Sequence, residues 1–308
     1  MNSPMSSPLP SVSPTTLGAR TGARASDRDP FPPGVARELE ANECTAYRSL
    51  FEVGSALFGD TAFEVESGDG VTAFVSPLVR KPGVFNRVLG LGLAAPPRAA
   101  DLVGLAEHFR RAGCVPAFEL PPPQLDTAAA EALRALRMRR VATAAVLQRR
   151  LDRESARTGR ERPDNLQVLK ARGEACRAAA TICAEVFGMP ATVLSVLEAL
   201  QDQPGWQLWL ALLDGQPAGA ALSHTHGARC WFGWAATLPA CRGRGVKGAL
   251  DEVRMAAAEA AGCTLISSDT ATGTPAAPDH SLRSLLRSGF TATYLRGTYL
   301  QQVPVGRP

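Results

Sequence analysis

Lysine is nearly missing from this chain. Of 33 basic residues, only Lys81, Lys170 and Lys247 are lysines. With alanine and proline abundant, that skew reads as the coding bias of a GC-rich genome. The net charge is only +4 and forms no concentrated basic face, which speaks against a dedicated nucleic-acid binder. The seven cysteines include no CxxC pair, so a disulfide framework or a thiolate zinc site is not expected, and reduced thiols in a cytoplasmic protein are. No apolar run approaches the ~18 residues that a membrane span requires. The first 30 residues are rich in serine and proline and lack the apolar core of a secretory signal. GxxxxGK(S/T) does not occur, so the Walker phosphate loop is absent.

What remains is 45% hydrophobic, enough for packed cores, in a 308-residue chain long enough for two domains. A tail is expected over 1–33, a first domain over 34–151, a linker over 152–164, a second domain over 165–303, and a short tail over 304–308. The spacing predicts a helix over "VARELEANECTAYRSLFEVGSALF", then a hairpin over "TAFEVES", "GDG" and "VTAFVSP". "FNRVLGLGL" reads as a strand, "RAADLVGLAEHFRRAGC" as an amphipathic helix, "VPAFEL" as a strand, "TAAAEALRALRMRR" as a helix and "VATAAVLQRRL" as a strand. After the linker come a strand "NLQVLKAR", two helices, a hairpin turning at Asp214-Gly215, and a strand "RCWFGWAATL".

The two halves echo one another. In each, a helix ends in Ala-Gly-Cys and opens an apolar strand, at Ala112-Gly113-Cys114 and Ala261-Gly262-Cys263. In each, an Arg/Leu helix then leads to a last strand. Two related α/β domains account for that order.

The chemistry concentrates in "LPACRGRGVKGAL". A strand ends near Leu238-Pro239, and a helix with Val246, Leu250, Val253 and Ala257 on one face begins near Arg244–Val246. Between them, glycines let the backbone turn tightly and let a ligand approach without meeting a Cβ. The first helical turn has unpaired N–H groups and a partial positive charge. This combination suits a phosphate or pyrophosphate, and Arg242, Arg244 and Lys247 add cations.

Strand, Arg-x-x-Gly-x-(Gly/Ala), long helix, strand and a later "GF" resemble the acetyl-CoA signature of the GNAT superfamily of N-acetyltransferases. The matching residues are Pro239, Arg242, Gly243, Arg244, Gly245 and Val246. "PDHSLRSLLRSGF" is similar to the family's second motif, ending at Gly289-Phe290, and "LLDGQPAGAAL" to its hairpin. The likeness covers about residues 165–303, and the N-terminal half resembles a degenerate second copy without a cofactor loop. The resemblance implies an α/β (α+β) fold of two GNAT-like domains, each a mixed, mostly antiparallel twisted sheet flanked by helices. It implies acetyl-CoA as co-substrate and no metal. Pantetheine would pair with amides near Ala236, Thr237 and Leu238. The pyrophosphate would sit on the amides of Arg244, Gly245, Val246, Lys247 and Gly248, beside Arg242 and Gly243. Acetyl transfer would go directly to an amine (a small molecule, an amino acid or a protein N-terminus), with no nucleic-acid or membrane partner, in a monomer or homodimer.

The chain departs from the pattern in three places. Lys247 stands at a position that is usually Gly or Ala, Trp234 where a carboxylate is often found, and Leu285 where a tyrosine usually serves as acid. For proton transfer the candidates are Asp269, at the end of its strand, and His224 or His226, which share a strand face. Ser281 and His280 sit where the second motif approaches the thioester. A non-catalytic acyl-CoA-binding protein, a sensor or partner-binding module, is the other reading.

Overall fold

The computed structural model describes residues 33–79, 81–121, 127–151, 163–274 and 279–302. The expected tails, apart from Pro33, and most of the linker lie outside these residues.

The first helix, α1 (Pro33–Phe58), is buried along Leu39, Ala46, Leu50 and Val53. Two antiparallel strands follow, β1 (Glu64–Gly68) and β2 (Val71–Val75), closed by Asp69-Gly70, both at positive φ. That is the backbone of a two-residue hairpin turn. Strand β3 (Arg87–Leu89) is shorter than "FNRVLGLGL" suggests, because the N–H of Gly90 is given to the Glu40 carboxylate (3.3 Å) and not to a neighbouring strand. Helix α2 (Ala99–Arg111), β4 (Ala117–Leu120), α3 (Thr127–Ala135) and β5 (Met138–Arg150) complete the first half.

The second half runs β6 (Leu166–Lys170), α4 (Glu174–Phe187), α5 (Ala191–Ala199), β7 (Trp206–Leu213), β8 (Gln216–His226), β9 (Arg229–Thr237), α6 (Val246–Ala260), β10 (Leu265–Ala271), α7 (His280–Arg287) and β11 (Thr291–Gln301). The β7–β8 hairpin turns at Asp214-Gly215, again with both residues at positive φ.

The Ala-Gly-Cys echo has one geometry. The N–H of Cys114 bonds to the carbonyl of Phe109 (2.9 Å), and that of Cys263 to the carbonyl of Ala258 (3.0 Å). Each is the six-to-one bond that closes a helix through a left-handed glycine. Sequence β3–α2–β4–α3–β5 therefore repeats as β9–α6–β10–α7–β11, with a parallel pair at the heart of each copy, β3 with β4 and β9 with β10.

The two copies share a single sheet, in the order β1-β2-β3-β4-β11-β5-β10-β9-β8-β7-β6. Each copy gives its last strand to the other. Strand β11 pairs antiparallel with β4, and β5 pairs antiparallel with β10, while β5 and β11 pair with each other at the centre. One face of the sheet is covered by α1, α4 and α5 over a core that includes Leu50, Phe51, Phe74, Phe85, Trp206 and Trp231. On the other face α6 packs through Val246, Ala249 and Leu250, and Leu285 of α7 packs with Phe232 and Phe290.

Helix α6 sits low on the sheet because β8 carries Gly219 beneath it. A Cβ there would lie 2.5 Å from Val246 Cγ1 and 2.8 Å from the Ala236 carbonyl oxygen. Gly219→Ala should therefore lift the start of α6 and destabilise the protein by about 1–3 kcal/mol, the usual cost of overpacking. Urea denaturation reads this, and an unchanged midpoint would contradict the packing described.

Candidate active site

The parallel pairing of β9 with β10 ends at Phe232↔Ser268. Beyond that point β9 continues to Thr237 and β10 to Ala271 without pairing to each other, so the sheet opens between these two strands. A bulge lies at the same place. On β8, Leu222 opposes Gly233 and Ala220 opposes Ala236, so β9 carries an extra residue. Trp234 absorbs it at φ 53°, a conformation that a bulky residue adopts only when its surroundings impose it. Here the indole is wedged against Phe85 and Phe187, at ring-centre distances of 5.7 and 5.3 Å, and Cys183 Sγ–H donates to the Trp234 carbonyl (3.2 Å).

At the end of β9 the chain passes through a 3-10 turn and enters α6. Gly243 and Gly245 stand at φ 75° and 84°, backbone that L side chains rarely adopt. The first intrahelical bond runs from the Ala249 N–H to the Gly245 carbonyl (3.0 Å). The N–H groups of Val246, Lys247 and Gly248 thus have no partner within the helix. They border a cleft of about 920 Å³ lined by Thr237, by every residue from Cys241 to Ala249, and by His280, Ser281 and Arg287 of α7. The cleft is the anion site expected from the sequence: unpaired amides, a helix dipole and exposed arginines at its mouth. Arg244 is steadied there by Asp214 (3.0 Å). Of the three residues expected along the strand, Thr237 lines the cleft and Ala236 and Leu238 do not; the Leu238 N–H is spent on the Ala218 carbonyl (3.0 Å).

A second cavity, about 450 Å³, lies at the opening of the sheet. Both copies build it. Tyr47, Val84, Arg87 and Glu119 come from the first, and Trp234, Arg254, Asp269 and Thr298 from the second. Four residues, Ala235, Lys247, Asp279 and Ser281, line both spaces, so the two meet beside the start of α7.

Behind the second cavity is a buried charge network. Arg296, only 1% exposed, reaches Glu40 (2.7 Å), Glu43 (2.9 Å), Glu119 (3.5 Å) and Asp269 (3.4 Å). Arg87 reaches Glu43 (3.0 Å) and Glu119 (3.7 Å) and lies over the Tyr47 ring. The Tyr294 hydroxyl donates to Glu40. Two guanidiniums thus face four carboxylates. Glu43 sits between both, and although burial pushes its carboxyl up, Arg296 and Arg87 together hold it low. Burial pushes Glu119 up despite the same two cations. Asp269 is pushed up to about 6, first by burial and then by the charge of Glu43, with Arg296 and Arg87 opposing. It is also the most open of the four carboxylates measured against Arg296, at a quarter exposed.

The structure brings Asp269 and Ser281 to the opening and leaves His224 elsewhere. His224 pairs with Trp231 on β9 while the loop end Thr237 pairs with Gly219, so the imidazole is far along β8 from the loop. It stacks on Trp206 (4.8 Å), burial pushes it down to about 4, and it lines neither space. His226 is exposed at the same remote end. His280 lines only the cleft. Leu285, expected at the tyrosine position, is 1% exposed and faces the core, not the opening. Lys247 turns inward to Asp251 (3.1 Å) and away from the unpaired amides. Arg87, Glu119, Tyr47 and Arg296 were not anticipated. The one signal for Arg87, Glu119 and Arg296 is a charged residue set inside an otherwise apolar strand, as in "FNRVL", "AFEL" and "YLRGTYL"; Tyr47, in α1, has none.

A protein of this architecture has been solved from Kribbella flavida, a GCN5-related N-acetyltransferase that superposes with a TM-score of 0.60 at 15% identity over 87% of this chain and 96% of that one. The fold is that of the GNAT superfamily. A GCN5-related N-acetyltransferase from Sphaerobacter thermophilus matches at 0.57 and 17% identity, covering 87% and 93% of the two chains. A tandem GNAT protein from the clavulanic acid biosynthesis pathway matches at 0.53 and 15% identity over the same shares. No family model and no curated protein matches the sequence. The GNAT-fold likeness spans both copies, and no helix among the described residues is long and apolar enough to cross a membrane.

The raised carboxyl of Asp269 has a consequence for stability. A carboxyl whose folded pKa lies above its unfolded value costs nothing below about pH 4 and its full penalty above about pH 6. Asp269→Asn should therefore stabilise the protein by about 1–3 kcal/mol at pH 7.5, with the gain vanishing toward pH 4. Denaturant midpoints of both proteins across that range measure it.

Proposed function

We propose that the chain is an acetyl-CoA-dependent N-acetyltransferase that moves the acetyl group directly to an amine within a ternary complex. One observation carries the reading: a glycine-turned anion site at the start of α6 opens into a cleft that meets, through the parted β9 and β10, a second cavity holding a carboxyl of raised pKa. The named activity of the solved neighbours of this fold is in accord with it.

The residues fit the co-substrate chemically. The N–H groups of Val246, Lys247 and Gly248 and the positive end of α6 suit a pyrophosphate, with Arg242 and Arg244 close by. Thr237, on the open edge of β9, is placed to pair with an amide of an extended chain. When bound, acetyl-CoA supplies an activated acyl group whose sulfur leaves without redox or metal help.

The second cavity supplies the acceptor side. Its lining sets three carboxyls, Glu119, Asp269 and Asp279, against three cations, Arg87, Arg254 and Lys247, so an amine meets acceptors for its N–H groups without a net opposing charge. Asp269 Oδ is the base: it lines the cavity, and a carboxyl with a pKa near 6 is mostly ionised at neutral pH yet basic enough to take a proton. Arg296 fixes its position. The remaining rate comes from holding the two reactants together.

The first test is calorimetric titration of the chain with acetyl-CoA, with dephospho-CoA and ATP for comparison. One-site binding of acetyl-CoA that Gly245→Glu abolishes is expected, since that change adds bulk and negative charge at the anion site. Retained affinity would move the site elsewhere. Thiol release on a panel of amines then separates enzyme from acyl-CoA-binding protein. Asp269→Asn should lower turnover by about 10²–10⁴-fold with acetyl-CoA affinity kept.

A further inference from the structure

The fold leaves the leaving-group end of the reaction without the tyrosine that the sequence comparison looks for. Leu285 is buried in the core, Tyr294 is committed to Glu40, and Tyr47 and Tyr299 lie outside the cleft. An acyl group passing from one space to the other must pass where they meet, and only Ala235, Lys247, Asp279 and Ser281 line both. Ala235 has no proton to give. Asp279 is a carboxylate acceptor, capping α7 by taking the N–H groups of Ser281 (2.7 Å) and Leu282 (3.2 Å). A serine hydroxyl is a weak acid. That leaves one cationic acid at the junction.

We infer that Lys247 is the general acid for the departing thiol, standing in for the tyrosine. The assignment rests on the acetyl-CoA reading above and concerns which group of this chain faces the sulfur.

The side chain is built for a fixed position. It leaves the first turn of α6, is one-fifth exposed, and reaches Asp251, which is itself fully buried. Asp251 is held by Arg254 and by the Ser284 hydroxyl of α7 (3.3 Å). Arg254 in turn donates to the carbonyls of Leu222 (3.0 Å) and Gly233 (3.4 Å), the latter beside the bulge. A chain of bonds thus ties the Lys247 ammonium to the point where the sheet opens. A phosphate-binding lysine at the mouth of a cleft has no need of this anchoring.

The charged and titratable groups that line the two spaces with it are Glu252 and Arg254 on its own helix, Arg242 and Arg244 of the loop, Asp279, His280 and Arg287 at α7, and Arg87, Glu119 and Asp269 across the opening, with Asp251 bonded to it directly. Burial pulls the ammonium below the usual lysine range, with Asp251 opposing and Arg254 assisting. A lowered ammonium gives up its proton more readily than a free lysine, which suits an acid that must release it in the step.

The step balances. The acceptor first gives its ammonium proton to solvent; the neutral amine nitrogen then bonds to the acetyl carbon, and the proton it sheds on doing so passes to Asp269 Oδ. The C–S bond breaks, its electron pair goes to sulfur, and Lys247 Nζ delivers a proton there. The products are the amide, CoA thiol, a neutral lysine and a protonated aspartic acid. Solvent returns the proton from Asp269 to Lys247.

The test needs no acceptor. The full chain is saturated with CoA, and the ultraviolet absorbance of its thiolate is followed against pH in the wild type, Lys247→Met and Lys247→Arg. An ammonium beside the sulfur should make the bound thiol about tenfold or more easier to ionise than in Lys247→Met, with Lys247→Arg restoring the shift because it restores the charge. Calorimetry on the same samples should give CoA affinities within a few-fold of one another. If CoA binds all three alike and its thiol ionises identically, the inference is overturned while the acetyl-CoA reading stands. If CoA does not bind the wild type, both fall. Should Lys247→Met not fold, Lys247→Gln replaces it with the same expectation. With an acceptor in hand, Lys247→Met should lower kcat, leave KM for acetyl-CoA in place, and erase the basic limb of the kcat–pH profile.

Discussion

Arg296 is the fixed point of this molecule. It rides on β11 into the section of sheet begun by the other copy and there neutralises carboxylates from α1, β4 and β10. Such a cation is expensive to desolvate, and it persists because several acids surround it. The arrangement needs the strand exchange: without β11 beside β4 and β5, neither Glu119 nor Asp269 would have this guanidinium. The environment of Asp269, raised by burial and Glu43 and restrained by Arg296 and Arg87, therefore draws on both copies.

The division of labour follows from the same crossing. The second copy carries the glycine loop, the parted strands and the bulge. The first copy carries no such loop, but contributes Tyr47, Arg87 and Glu119 to the wall of the second cavity. Fold alone underdetermines function, and it is this joint wall, more than the likeness to solved GNAT structures, that gives the acyl-transfer reading its chemical content.

The elements with strong local signals were readable in the sequence. The Asp-Gly turns, the Ala-Gly-Cys helix ends and the Gly-Arg-Gly entry to α6 each rest on a few adjacent residues with one preferred backbone geometry. What was not readable depends on register or distance. Trp234 is an example: one extra residue in β9 changes which face later side chains occupy, so counting along the strand for a carboxylate cannot succeed. His224 sits eight residues beyond Gln216, the Asp-Gly end of β8, a fact that matters only once the hairpin is paired. Leu285 lies where the helix turns to the core. The network of Arg87, Glu119 and Arg296 is the extreme case, since Glu40 and Arg296 are 256 residues apart and no local pattern joins them.

The exchanged strands also bear on how the chain is made. As the polypeptide emerges from the ribosome, β4 is complete long before its central neighbour β11 exists, and β5 waits for β10. The first copy cannot close its sheet on its own schedule. Its exposed edge and the acids of α1 must be held open while the second copy is synthesised, since contacts so distant in sequence are paid for in loop entropy before they form. The sheet is complete only once its last strand is made, and until then the edge of β4 stays open to other pairing.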